Sequence, residues 1–391
     1  MNPLAVRHLL HRQAQLSGSE SVAHDLVLQH LNRLHPSYVA TRVGGTYGVL
    51  AVWGEDRTKP TVAFRADTDA LPIEETGTLE YRSQNVGVSH KCGHDGHTAA
   101  LLEFASRVDL WNTSFRSSSR EPMCNVLLLF QPEEETGRGA QKILSSGLLQ
   151  RYDIKGFYAM HNVPGYELGT VVVADSIFAA ASSGFEVNFV GRQTHASTPE
   201  AGLCPDLAVA EMLQRIRGLN EGHPASSADK ERFAQSTAIC VNMGDEAYGT
   251  AAGRAKVAFT LRAFSNSRMK QLLEEADVLA LTVASQYHLQ CTTTLHEPFP
   301  AVENDVRQVE MVRQAAAAVG CRVEERDVPF RWSEDFAHYL FSFPGAFFGV
   351  GAGVDHAELH HPDYDFPDEL LDTVASLFFQ IVLDFNSKCQ S

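Results

Sequence analysis

Residues 89–97 read SHKCGHDGH, with three histidines, a cysteine and an aspartate in nine positions. Such a set serves a metal ion gripped by thiolate and imidazole, a cysteine nucleophile beside a histidine base, or a polar loop with no chemistry. Cys92 and His94 are two apart, so in an extended segment their side chains share one side and could hold one ion. In QPEEETG, Glu133, Glu134 and Glu135 close an apolar run, which is costly unless they are solvated or face something positive. Adjacent carboxylates can divide two tasks, one binding an ion while its neighbour moves a proton. His161 closes another apolar run, and HAELHHPDYDF adds His356, His360 and His361.

An EF-hand is rejected. DTDALPIEE, from Asp67, has carboxylates at the first and third positions of a calcium loop, but the sixth, which must be glycine, is Pro72. Cys92 as a nucleophile with His94 as its base stays open, although it leaves the glutamates and His360 without a part.

The elements that must position these residues alternate in the first third of the chain. VAHDLVLQHLNRL and HTAALLEFASRVDLW have helical spacing, whereas GVLAVW, TVAFRAD, NVLLLFQ and IKGFYAMHN read as buried strands. This is the pattern of an α/β domain with a mostly parallel sheet, whose sites form at the carboxyl ends of strands. Asp67, Asp69, the three glutamates and His161 all fall there.

From about Ser182 the order becomes β-α-β-β-α-β, a ferredoxin-like unit able to fold by itself. We expect one α/β domain, residues 1–181 and 296–391, interrupted by an inserted domain at 182–295. SSADKERFAQ is expected to be a mobile loop of the insert, and the serine run at 117–121 a turn. The amino-terminal segment is amphipathic, with no apolar core of a signal peptide, and no apolar run approaches a membrane span.

The net charge of −16 on 391 residues speaks against nucleic acid or anionic membrane as the main partner. Seven scattered cysteines (Cys92, Cys124, Cys204, Cys240, Cys291, Cys321 and Cys389) fit a reduced, cytoplasmic compartment better than a disulfide scaffold.

RADTDALPIEE, HKCGHDGHTAALL, FQPEEETGRGA, MHNVPG, GRQTHASTP, SEDFAHY and LHHPDYDFPDE resemble, in order and through nearly the whole chain, the motifs of the M20 metallopeptidases. The resemblance is to the amidohydrolase branch, which holds hippurate, N-acyl-amino-acid and auxin-conjugate hydrolases. It implies two divalent ions, zinc first and manganese or cobalt as alternatives, on Cys92, His94, Glu135, His161 and His360. It also implies Glu134 as general base, Asp69 as a residue orienting a ligand, and the insert as a lid through which homodimers form. Within the lid, His195 would polarise the scissile carbonyl and Arg262 would meet a substrate carboxylate.

The reaction so implied is metal-dependent hydrolysis of an N-acyl amino acid, small peptide or related amide. A di- or aminopeptidase of the same fold is the nearest alternative, and a non-catalytic metal-binding or interaction protein is the alternative from another class. Retention of Glu134 argues against the latter, since storage needs ligands but no base. Two segments depart from the branch: HRQAQLSGSE replaces a usual His-Pro-Glu, and YGTAAG, around Gly249 and Thr250, lacks the asparagine of Asn-x-x-Pro.

Overall fold

The computed structural model describes residues 2–54, 56–117 and 121–389. Residues 118–120 of the expected serine-rich turn lie outside the described residues. The chain forms two compact units. One comprises Met1–Phe178, Glu303–Arg326 and Asp335–Ser391, the other Ala179–Val302 and Asp327–Glu334.

The first unit is built on an eight-stranded sheet, in the order 38–43, 48–53, 125–131, 61–67, 154–164, 345–353, 171–173, 323–325. Its four central strands, from 125–131 through 345–353, run parallel. Thr61–Asp67 and Asn125–Gln131 are buried at every position, which is why apolar residues dominate both, with Arg65 the interruption in the first. Their alternate residues face opposite ways. Val62, Phe64 and Ala66 join one core with helices Pro3–Arg12, Ser21–Leu31, His94–Ser117, Val306–Val319 and Leu370–Lys388. Phe64 is its pivot, with ring centroids of Phe104 and Phe378 at 4.7 and 4.9 Å. Truncating such a residue costs about 3–5 kcal/mol.

Leu370–Lys388 corrects one expectation, because it is long and apolar enough by composition to cross a membrane. Its apolar face has another use, with Leu377, Phe378, Ile381 and Val382 buried in this core.

The second unit has a four-stranded antiparallel sheet in the order 234–243, 254–263, 181–190, 290–299. Helices Asp206–Arg215 and Asn266–Gln286 interleave with these strands, giving β-α-β-β-α-β along the chain. In the strand Arg254–Ala263, Ala255, Val257, Phe259, Leu261 and Ala263 are buried and the intervening positions are not, as one covered face requires. Within SSADKERFAQ, Ser227–Asp229 makes a short 3-10 turn, whose Asp229 accepts the His223 backbone N–H, and Ala234 begins the next strand.

Candidate metal centre and general base

Four neighbouring parallel strands open their carboxyl ends on one edge of the first unit's sheet, and the chemistry-bearing residues collect there. Asp67 ends Thr61–Asp67, Glu133–Glu135 follow Asn125–Gln131, and His360 lies beyond Gly345–Gly353. His161 sits inside Ile154–Pro164 rather than after a strand.

The segment around Cys92 is not extended. Gly93 has φ +97° and His94 begins the helix, so a left-handed turn, not strand alternation, puts both side chains on one side. A β-carbon on Gly93 would stand well inside van der Waals contact of Asn162 Oδ1. The turn is thereby pressed against the strand that carries His161.

Cys92, His94 and His161 offer donor atoms within 4.8 Å of one another, as do Cys92, Glu135 and His360, and His94, Glu134 and Glu135. Cys92 belongs to two of these groups, and its Sγ lies 3.3 Å from His161 Nε2. His94 Nδ1 donates to the Asp69 carbonyl at 2.9 Å and His161 Nδ1 to the Asn162 carbonyl at 2.8 Å. Each bond leaves an Nε2 lone pair pointing at the cluster, the tautomer a metal needs.

His94 Nε2 and Glu135 Oε1 are buried without a hydrogen-bond partner among the described residues, although they stand 3.7 Å apart. Buried polar atoms are rarely left so. Burial pushes the Cys92 thiol up, with the Glu135 charge adding to it. Burial and the charges of Asp69 and Asp67 outweigh His94 to push Glu135 up to about 7. Burial keeps His161 well below the usual histidine range, hence a neutral ligand. A thiol and carboxylate that need positive charge, beside imidazoles whose Nε2 atoms face them, fit divalent cations.

The three glutamates have different surroundings. Glu133, at φ +59°, turns away to Lys142 Nζ at 2.6 and 2.8 Å. Glu135 faces His94 and His360, each 3.7 Å from its Oε1. Glu134 Oε1 accepts the Asp335 backbone N–H at 3.2 Å. Asp69 touches both sides of this arrangement: its Oδ2 accepts the Glu135 N–H at 3.0 Å and the Ser17 hydroxyl at 2.6 Å, and its carbonyl holds His94.

Asp67, expected at a strand's carboxyl end, forms a further donor group with His94 and with His97, to which sequence reasoning assigned no role. His97 contacts Asp67 Oδ1 at 2.6 Å through Nδ1 and Asn162 Oδ1 at 2.5 Å through Nε2, and Asn162 Nδ2 donates to the Cys92 carbonyl at 3.2 Å and to Tyr364 Oη. Arg65, buried in mid-strand, donates to Asp67 Oδ2 at 2.7 Å, Asp335 Oδ1 at 2.9 Å and Gln131 Oε1 at 3.0 Å. The one available signal was the spacing of His94 and His97, three apart on one helix face.

In the second unit, His195 is exposed and its Nδ1 accepts the Ser197 hydroxyl at 2.7 Å and backbone N–H at 3.1 Å. Its Nε2 therefore carries the hydrogen and is a donor. Thr250 is its cross-strand partner. Arg262 Nη1 donates to the Arg331 carbonyl at 2.8 Å and to Ser333 Oγ at 3.1 Å.

The sequence model of peptidase family M20/M25/M40 matches residues 63–384. An N-acetyl-L-cysteine deacetylase of Bacillus subtilis is 29% identical over 379 residues, covering 96% of this chain and 86% of that protein. An uncharacterized hydrolase of Staphylococcus haemolyticus is 28% identical, covering 98% and 97%. Among solved structures, a Bacillus subtilis dinuclear metal binding peptidase from the M20 family superposes with a TM-score of 0.81 at 24% identity, over 98% of this chain and 97% of that one. An aminobenzoyl-glutamate utilization protein from Klebsiella pneumoniae gives 0.72 at 20%, over 98% and 95%.

Proposed function

The chain belongs to peptidase family M20/M25/M40, and from that premise we propose that it hydrolyses the amide bond of an N-acyl amino acid or similar small amide with Glu134 as general base. The supporting observation is the sorting of Glu133, Glu134 and Glu135 into a Lys142 ion pair, a carboxylate fixed by a backbone N–H, and a donor facing two histidines. The N-acetyl-L-cysteine deacetylase among the relatives supports the substrate class.

Cys92, His94, Glu135, His161 and His360 would hold two divalent ions, and thiolate with imidazole favours zinc over manganese or cobalt. When bound, the ions supply Lewis acidity that polarises a carbonyl and acidifies water. Glu134 takes the proton of the attacking water as its oxygen bonds to the carbonyl carbon. The same carboxyl then gives that proton to the departing nitrogen as the carbon–nitrogen bond breaks, leaving an amine and a carboxylic acid whose own proton is then released, to the amine or to solvent. Asp69 keeps His94 and Glu135 in register. His195 Nε2–H is the donor for the developing oxyanion, and Arg262 pairs with a substrate carboxylate.

Thr250, opposite His195, stands in the segment that departs from the branch, so acyl or side-chain preference is set differently there. The edge strand Ala234–Met243, with Ile239, Val241 and Met243 exposed, supports a homodimer through the inserted unit. Seven free cysteines support a cytoplasmic protein. Burial of Cys92, whose thiol is pushed up, weighs against a thiolate nucleophile.

The test is amide hydrolysis on a panel of N-acyl amino acids and dipeptides with metal-loaded enzyme, chelated enzyme and Glu134→Ala. Turnover that needs metal and no free substrate amine supports the amidohydrolase reading. A requirement for the free amine would favour the peptidase.

A further inference from the structure

Arg7 is a fully buried cation in the amino-terminal helix, outside the span matched by the family. Its guanidinium joins two segments that carry candidate ligands, the start of the helix His94–Ser117 and the stretch after His360. Nε donates to Asp95 Oδ2 at 3.2 Å, one residue beyond His94. Nη1 donates to Asp368 Oδ1 at 2.5 Å and Nη2 to Asp365 Oδ1, both on the segment that follows His360. A second buried cation runs alongside: Lys91 Nζ, next to Cys92, donates to the Tyr364 carbonyl at 2.8 Å and to Glu75 Oε1 at 2.7 Å.

His360 needs such a tie. Its side chain is 50% exposed, against 1% for His94, so packing does not fix it. Its backbone is left-handed, φ +65°, a conformation that residues other than glycine hold only when neighbouring contacts impose it. Its N–H donates to the Lys91 carbonyl at 2.7 Å, so its position follows the register between the two segments. That register is what Arg7 sets.

We infer that Arg7 is a positioning residue for His360: by pinning Asp365 and Asp368 to Asp95, it sets the affinity of the ion held by Cys92, Glu135 and His360. The inference rests on the ligand assignment of the preceding section. The group of Cys92, His94 and His161 depends on Arg7 less, because Asp95 also holds His11 Nδ1 at 2.9 Å and keeps that contact when Arg7 is changed.

The test is calorimetric titration of the metal-free full chain with Zn²⁺, with bound metal counted after dialysis. Arg7→Lys keeps the charge but not the three-way fork, and Asp368→Asn weakens one prong at a residue whose side chain is 35% exposed. In both, one of two ions should bind more weakly by about tenfold or more while the other changes little, the usual cost of losing a group that orients a ligand. If Arg7→Lys does not fold, Asp368→Asn decides. Folded variants that bind both ions as wild type does, or lose both equally, overturn the inference. His360→Ala separates the two readings. If it still binds two ions unchanged, the ligand assignment is wrong; if it loses one and the Arg7 and Asp368 variants lose none, the positioning role of Arg7 is wrong.

Discussion

His94 Nε2 and Glu135 Oε1 face each other at 3.7 Å, both buried and neither hydrogen-bonded among the described residues. Two such atoms are satisfied together by a cation between them, which ties metal content to fold stability as well as to activity. Zn²⁺ at a hundredfold excess over its Kd should stabilise the protein by about 2.7 kcal/mol, read as a rise in Tm. His94→Ala should abolish most of that rise, and an unchanged rise would remove His94 from the ligand set.

Asp335 holds Glu134 through its backbone, and Arg65 and Gln131 hold Asp335. Asp335→Asn keeps the backbone donor but loosens its anchorage, so kcat should fall by on the order of 10²-fold with metal content intact, a cost in line with a misplaced catalytic group. Arg65→Met removes the cation that faces two buried carboxylates, Asp67 and Asp335, and should destabilise the protein by roughly 3–5 kcal/mol in denaturant unfolding. Wild-type kcat in Asp335→Asn would show that the base is positioned by other means.

His11 is buried between Asp95 and Glu75, at 2.9 and 3.0 Å. Burial lowers its pKa, but the Asp95 charge and the hydrogen bonds to both carboxylates outweigh this and push it up to about 9 from 6.5. Since the folded value is the higher, the stabilisation is complete below pH 6.5 and is lost as pH rises through 9. It amounts to roughly 3 kcal/mol. The stability gap between wild type and His11→Gln should therefore narrow between pH 7 and pH 10, as unfolding at several pH values would measure. A constant gap would contradict a charged His11.

Gly93→Ala should disturb the centre from its backbone. The positive φ costs an alanine about 1–2 kcal/mol, and the new β-carbon would collide with Asn162 Oδ1. Bound metal per chain should drop with activity. A fully loaded, active Gly93→Ala would mean that the turn is less constrained than its geometry implies.

The ligand-type residues were legible because they interrupt apolar runs where a polar side chain has a cost: Cys92 and His94 before an apolar helix, Glu134 and Glu135 after VLLLF, and His161 after FYAM. Residues that hold them were not. Arg65 reads as a polar lapse within a strand, and only the fold brings it to Asp67 and Asp335. Asn162 and Tyr364 meet across more than two hundred residues, a distance no local spacing encodes. The short strands Val171–Val173 and Val323–Glu325 carry too few residues to show a period. Likewise, nothing local marks the return of Asp327–Glu334 to the second unit.

The most direct test of the account is the turnover of Glu134→Gln, isosteric with wild type, on the best substrate of the panel, with metal measured in the same sample. The account predicts a loss of about 10²–10⁴-fold in kcat, the worth of a general base, with both ions retained. Wild-type turnover in a fully loaded Glu134→Gln would contradict it.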